Sequence, residues 1–600
     1  MSDPTYIIGI DLGTTNSVMA FTEARLDEDH EPEIRVLKIP QLVGPGSIGE
    51  RESLPSSVLL PGPYDVPEGG LNVPWTLECS QAVGEFARDR GAEIPHRLIC
   101  SSKSWLCHTG VDRNKPILPW DAETDQPKLS PVATSAVILR HMKETWNHTM
   151  ARDDTALQLE NQEIVLTVPA SFDVVARNLT VEAAEMAGLE DITLLEEPQA
   201  AFYAWIDHAK DQWRDRISVG DVVLVVDVGG GTTDFSLIRV AQDQGELDLE
   251  RIAVGEHVLV GGDNMDLTLA YAVAKNMTAK GHKLNAHQIK GLCHGCRAAK
   301  ERLLQDTGIE TVPIAILGRG SSLIGGTLKS EMTRQETDRI LTTGFFPECE
   351  LETPLQEARR TGMRELGLAY SSDPAVTRHL AHFLKQQETL VLPTAVIFNG
   401  GVMKAPGLRQ RVIDVLSSWF PAGDHPPVRE IEGAGFDLAV AKGAAYYGLA
   451  RRGRGIRIRG GLAQTYYIGI EAALPAVPGI PTPIKALCVA PFGMEEGTEA
   501  ALPEKEFGLV TGEPVRFDFL GSLSRRQDAL GTVIEDWSGE IEQITTLETR
   551  LEGESGTVVP VTLNIHATEV GTLEIWCVSR QDGRKFKLEF NVREKDLGAA

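Results

Sequence analysis

Two Asp–Gly–Thr turns constrain this 600-residue chain more than anything else in it. The first lies in YIIGIDLGTTNSVMAF (residues 6–21) and the second in VVLVVDVGGGTTDFSLIRV (residues 222–240). Each is an apolar, β-branched run, then Asp, then a Gly/Thr turn, then a second strand, and so predicts a hairpin. Glycine lets backbone N–H groups approach an oxyanion, and such turns form anion-binding concavities. Thr hydroxyls add donors, and a carboxylate at a strand end can hold the water shell of a magnesium ion. Asp11 and Asp227 stand 216 residues apart. That spacing predicts duplicated α/β halves that grip a phosphate chain from both sides. One such loop alone reads equally as a tight turn; the recurrence, and the run Gly229-Gly230-Gly231, argue for a site.

Residues 1–452 alternate strand-like runs (6–12, 162–168, 222–228, 394–399) with helical ones (131–150, 173–187, 264–280, 286–305, 407–418), a pattern of α/β layers. Pro- and Gly-rich stretches at 40–75 and 318–326 read as surface loops or insertions. A basic segment, RRGRGIRIRGGLAQ (451–464), follows. Beyond it come candidate strands at 465–470, 483–490, 508–521, 531–537, 541–551, 557–567, 572–579 and 585–593. Helices are absent from that list, so the expected fold there is a small all-β domain. The expected plan is a nucleotide-binding domain at 1–452 in two lobes (roughly 1–215 and 216–452), a linker at 453–463, a β-sandwich at 464–594 and a tail at 595–600 too short for a helical subdomain.

The net charge of −27 makes nucleic acid and anionic membrane poor partners. No run of 18 apolar residues predicts a membrane span, and the N-terminus lacks the basic region of a signal peptide. Eight scattered cysteines suit a reducing compartment, so a cytoplasmic location is expected. Cys293-His294-Gly295-Cys296 is a CxxC half-site without a second half, in a helical stretch, and reads as structural in preference to zinc or redox use.

A third element, TAVIFNGGVMKAPGLRQRV (394–412), ends a strand in Gly400-Gly401 before a helix with Pro406 in its first turn. Helix N-termini favour phosphate. A fourth, GFDLAVAKGAAYYG (435–448), has small residues at helical spacing, suited to close packing. The chain has no GxxxxGK[ST] P-loop and no GxGxxG after its first strand.

Taken in order, DLGTTNS, LTVPASFDVVARN (166–178), LLEEPQAAFYAW (194–205), DVGGGTTD, GGDNMD (261–266) and the Gly400-Gly401 helix resemble the motifs of the seventy-kilodalton heat-shock (DnaK-like) chaperones. These belong to the actin, sugar-kinase and chaperone ATPase superfamily. The resemblance implies duplicated actin-like, ribonuclease H-like ATPase lobes, slow hydrolysis of ATP to ADP with Mg2+, and a β-sandwich that binds polypeptide. It implies that Gly13, Thr14, Thr15 and Asn16 cradle the β- and γ-phosphates, with Gly229, Gly230, Gly231, Gly261, Gly262, Gly400 and Gly401 completing the backbone cradle. Asp11 and Asp227 would orient hydrated Mg2+. Lys103 would reach the γ-phosphate, Glu197 would sense it, and Thr232 would stand near the attacking water. Pro169 and Arg177 would relay nucleotide state, and Asp437 would lie by the interlobe hinge.

On the base side Lys300 keeps the family's lysine, while Arg297, Glu301 and Leu304 depart from it. Lys404 replaces a stacking arginine, and lysine cannot stack as a planar guanidinium does. The basic segment replaces an aliphatic, acidic linker; its Ile/Arg alternation suits either an edge strand or a solvated tether. Implied partners are extended or unfolded polypeptide, a J-domain co-chaperone and a nucleotide exchange factor. A nucleotide-gated regulator with one dedicated partner is the alternative; a small-molecule kinase would have no need of an all-β tail.

Overall fold

The computed structural model describes residues 4–590 apart from 26–31, 109, 124–125, 244–245, 283, 307, 318–326, 357–367, 369, 388–390, 421–426, 434, 454–457, 460–461, 463, 472–481, 496, 512–513, 551–556 and 569–572. The 318–326 stretch, most of the Ile/Arg alternation and the C-terminal tail therefore lie outside the described residues.

Two six-stranded sheets share one plan. The first runs Ile192–Glu196, Glu163–Val168, Tyr6–Asp11, Asn16–Glu23, Arg35–Val36, with Leu54–Pro55 also paired to Asn16–Glu23. The second runs Arg429–Glu430, Ala395–Asn399, Val222–Val228, Thr233–Asp243, Glu246–Val254, Ile458–Arg459. Tyr6–Asp11 pairs antiparallel with the strand after its turn and parallel with Glu163–Val168. Val222–Val228 repeats this with Thr233–Asp243 and Ala395–Asn399. Ile7, Ile8, Ile10 and Val223 through Val226 are buried, as expected of strands covered on both faces. Each Asp thus stands at the carboxyl end of a central strand.

The helices Glu197–Ala209 and Ala439–Arg451 pack on each other, and the second also packs on Tyr6–Asp11. The small residues of the 435–448 stretch make this approach possible: a Cβ on Gly443 would lie 1.7 Å from the Ala200 carbonyl oxygen. The expected helices form as Pro131–Trp146, Val174–Met186, Gly262–Ala279, Ala286–Gln305 and Pro406–Trp419. Ser130, Asp173 and Asn285 cap three of them by accepting from backbone N–H groups of the first turn.

Nine further strands form one path: Glu499–Val510, Val558–Ala567, Leu573–Ser579, Lys585–Phe590, Glu542–Arg550, Pro514–Ser522, Thr465–Glu471, Ile484–Ala490, Val533–Ile534. Residues from both ends of the path, among them Tyr466, Phe519, Leu563 and Ile575, bury their side chains in one core. This unit touches both halves: Val174, on a helix beside the first sheet, joins the same core, and Arg526 Nη1 donates at 2.8 Å to the carbonyl of Ile252, on a strand of the second sheet.

Two expectations need correction. The 508–521 run is not one strand: Glu499–Val510 and Pro514–Ser522 are separate. The first hides because Pro503, Lys505 and Glu506 break its apolar pattern. It lies at the sheet edge and slips register between Leu502 and Phe507, where such residues are tolerated. Likewise 40–75 is not simply loop. Ile39–Gly44 and Ser47–Arg51 pair as a hairpin around Gly46 (φ 65°), and Leu42, Leu54, Val58 and Leu59 are buried. From the basic segment, Arg452 pairs with Glu163 at 2.7 Å, and Ile458–Arg459 runs parallel to Glu246–Val254. No helix among the described residues is long and apolar enough to cross a membrane.

The 39–44 strand is fastened by His141, whose Nε2 lies 3.1 Å from the Pro40 carbonyl oxygen. Burial pulls its pKa down to about 4, against the pull of that hydrogen bond. Unfolding frees an imidazole that titrates near 6.5, so the unfolded chain binds more protons between those values. Stability should therefore fall as pH drops from about 6.5 to about 4, by up to about 3 kcal/mol from this residue. Urea unfolding across that window should show a shallower pH slope in His141→Gln than in the unaltered protein.

Candidate functional site

A single cleft gathers residues from both turns and the third element. Asp11, Gly13, Thr14, Thr15, Asn16, Lys103, Glu197, Asp227, Gly229, Gly230, Thr232, Gly262, Lys300, Gly400, Gly401, Lys404 and Asp437 all line it. The turns touch: a Cβ on Gly230 would fall 1.8 Å from Thr15 Oγ1. Gly400 has φ 86°, and a Cβ there would lie 2.3 Å from the Val228 carbonyl oxygen. Only glycine fits these two positions. Gly231 and Gly261 do not line the cleft. Gly231 backs onto Thr14, and Gly261 lies against the backbone of Gly229 and Gly230. Pro169 and Arg177 also lie outside it.

Lys103 is 4% exposed and hydrogen-bonds Glu197 Oε1. It stands on the short helix Ser102–Leu106, entered through Ser101 in the left-handed region (φ 55°), a costly conformation for a non-glycine residue. Glu197 opens its own helix. Burial alone would lower the Lys103 pKa, but the charges of Glu197 and Asp11 outweigh it and hold the ammonium above its usual value. Asp11 is raised to about 7 by burial and by Glu197, against Lys103 and a 3.3 Å hydrogen bond from Thr167 Oγ1. Asp227 is raised to about 8, again by burial and Glu197, against a 2.7 Å hydrogen bond from Asn399 Nδ2.

Asn399 is a site residue missed at the level of sequence. Its signal is a polar residue ending an otherwise apolar strand, directly before Gly400-Gly401. It stands in register with Asp227, as Thr167 does with Asp11. Its Oδ1 is buried without a hydrogen-bond partner among the described residues.

On the other wall the departures form a closed network. Arg297 pairs with Asp263 and, at 2.8 Å, with Asp266. Lys300 reaches Asp266 at 2.7 Å and the Gly262 carbonyl at 3.3 Å. Lys404 pairs with Asp437. Glu301, Leu304, Gln305, Phe436 and Val440 line the rest. In the same helix as Arg297, burial raises the Cys293 and Cys296 thiols to about 11 and about 12. No group of three or more metal-ligating side chains appears among the described residues.

Residues 78–356 match the family model described as Hsp70 protein. The chain is Hsp70-like. It is 31% identical over 315 residues to the chaperone protein HscA homolog of Pseudomonas aeruginosa (strain LESB58), covering 50% of this chain and 42% of the relative. It is 28% identical over 416 residues to the homolog of Bordetella pertussis, covering 68% and 53%. With the chaperone protein HscA of Enterobacter sp. (strain 638) the identity is 29% over 272 residues, covering 44% and 36%. The matched part thus spans roughly half, or less, of these curated relatives. The family implies actin-like ATPase lobes, in keeping with the repeated plan of the two sheets.

The raised carboxylates make a pH prediction for this Hsp70-like cleft. At pH 7 both Asp11 and Asp227 hold a proton for a good part of the time, and a divalent cation must expel it. Uptake of Mg2+ with nucleotide should release protons. Calorimetric heats will then vary with the ionisation enthalpy of the buffer, and the variation should shrink in Asp227→Asn.

Proposed function

We propose that this chain is an ATP-dependent chaperone of the Hsp70 type. Slow Mg-ATP hydrolysis in the cleft is coupled to binding and release of extended polypeptide by the C-terminal strands, read as a β-sandwich substrate domain at 464–594 behind a linker at 453–463. The observation that carries this reading is the convergence of both Gly/Thr turns, Lys103, Glu197 and two half-buried carboxylates on one cleft.

The donor set fits a hydrated magnesium ion. Asp11 and Asp227 are half-buried acids with raised pKa values that would gain from a neighbouring cation, and Asn399 Oδ1 is an acceptor in want of a donor. When bound, the ion would neutralise charge on the phosphate chain. The chain's own residues do the rest. Backbone N–H groups of the two turns and the Thr14 and Thr15 hydroxyls hold the phosphates from opposite sides. Lys103, a compact charge fixed by Glu197, opposes the charge that grows on the transferred group. Thr232 orients the attacking water. Positioning and charge neutralisation are what phosphoryl transfer asks of a protein. On the base side, Lys404 is held by Asp437 and Arg297 by two aspartates, so base contacts rest on Leu304, Phe436 and Val440.

Coupling follows from Glu197 and its neighbour. Glu196 is buried between Arg177 (2.6 Å) and Arg251, while Glu197 faces the cleft. Arg251 precedes Ile252, whose carbonyl receives Arg526 of the β unit. A J-domain co-chaperone and an exchange factor are the partners this scheme calls for.

Lys103→Ala or Thr232→Ala should cut hydrolysis at least about tenfold while nucleotide stays bound, since each acts on charge or water during transfer. Unchanged single-turnover rates in both would remove the assignment. Peptide preloaded on the intact protein should leave faster when ATP is added, and Glu197→Ala should blunt that response. Recognition of many apolar peptides on an array supports the chaperone reading. Silence across the array, with ATP-dependent capture of one protein, would replace it by a dedicated regulator.

A further inference from the structure

The cleft carries one aromatic ring. Phe436 follows Gly435 (φ 115°) and is the only aromatic side chain among the described residues that line the cleft. It is half-buried and packs against the core of the second half. Arg409 lies over the ring, its guanidinium carbon 5.0 Å from the centroid. Arg409 is itself held at three points. It pairs with Glu430 at 2.7 Å, and it donates to the Met403 carbonyl at 2.7 Å and to the Lys404 carbonyl at 3.3 Å. Met403 and Lys404 belong to the turn that follows Gly400, so the ring is tied through Arg409 to the backbone of the third element.

The charged groups near the ring are already committed. Lys404 pairs with Asp437, and Arg297 and Lys300 pair with Asp263 and Asp266. On the helix that carries Arg297, Glu301 and Gln305 stand outside these pairs, and both are exposed. A site rejects the wrong base strongly when that base would leave buried polar groups unpaired. Solvated side chains at a mouth impose no such penalty. An aromatic ring held in place attracts a base by stacking, and it attracts every base, because each has a π face.

We propose that Phe436, braced by Arg409, is the platform on which the nucleobase stacks, and that the cleft therefore takes purine nucleoside triphosphates as a class, with little choice between adenine and guanine. The proposal rests on the reading of the cleft as a nucleotide site. Charge holds the phosphate end of the nucleotide, and an apolar ring holds the other end. Arg409 is a positioning residue: it acts on the ring, and its fixed guanidinium spares the nucleotide the cost of ordering that ring on binding.

Calorimetric titration of the intact full-length protein, in Mg2+, with ATP, GTP and inorganic triphosphate tests this by binding alone. ATP and GTP should bind within about tenfold of each other. Phe436→Ala should weaken both by at least about tenfold and leave triphosphate, which has no base, unchanged; Phe436→Trp should keep both nucleotides bound as in the unaltered protein. Arg409→Met should weaken both nucleotides by a smaller factor, again with triphosphate unchanged. A preference for ATP over GTP beyond about tenfold overturns the class selectivity. An ATP affinity unchanged in Phe436→Ala overturns the platform. In either case nucleotide still binds, and the ATPase reading stands. A loss in Phe436→Ala that triphosphate shares, or that Phe436→Trp shows equally, overturns the platform as well, and an unchanged affinity in Arg409→Met removes the brace. Uptake of none of the three probes by the unaltered protein is the separate failure: it removes the nucleotide site itself, and this proposal with it.

Discussion

Three carboxylates and one ammonium line the floor of the cleft, with a fourth carboxylate close by. Glu197 acts on Asp11, Asp227 and Lys103, and nearby Asp234 acts on Asp227 and Lys103, through poorly screened space. Each charge left unpaired there costs several kcal/mol, of the order known for buried ions. The excess of negative charge makes the site receptive to a cation, and it demands that every carboxylate be held still. Thr167 and Asn399 do the holding. Each is the in-register neighbour, on a parallel strand, of the Asp it hydrogen-bonds. A slip of one residue in either pairing would turn that side chain to the opposite face of the sheet. Strand register therefore sets the electrostatics, and the buried Ile, Val and Leu residues that fix register serve the site as much as the core.

Much of this is legible in the sequence because it depends on short-range rules. An apolar run ending in Asp before Gly and Thr reads as strand and turn wherever it occurs, and the second copy reveals the duplication. The helices read at 131–150, 173–187 and 286–305 begin within a residue of the caps Ser130, Asp173 and Asn285 that the structure shows. The small-residue stretch 435–448 reads as close packing, and Gly443 against Ala200 is that contact.

What escapes the sequence depends on partners far along the chain. Asn399 looks like a turn residue until the register with Asp227 is known. Arg297 reads only as a departure from the family's base-side set until Asp263 and Asp266 are seen to hold it. The Glu499–Val510 strand carries a proline and a charged run that mimic a loop, and its edge position is what permits them. Residues 39–51 carry the Pro-Gly of a turn but also a hairpin whose inner face is covered by His141 and the surrounding core.

The adjacent pair Glu196-Glu197 gives the proposed coupling its physical form. Glu197 belongs to the cleft and to Lys103; Glu196, one residue earlier, is clamped by two buried guanidiniums. Burial would raise the Glu196 pKa, but Arg251 and Arg177 reverse this and hold the carboxyl below its ordinary value. Pulling one arginine away would take from Glu196 one of its two charge-assisted hydrogen bonds, about 1.5–3 kcal/mol for such bonds. Arg177 also donates to the Phe172 carbonyl, at the approach to the helix whose Val174 packs into the β core. Arg251 lies next to the carbonyl that receives Arg526. A shift of Glu197 toward or away from a bound phosphate must therefore either carry Glu196 and both arginines with it or break a pair too costly to break. The cheaper course is for the arginines to follow, and with them the surface on which the β strands rest.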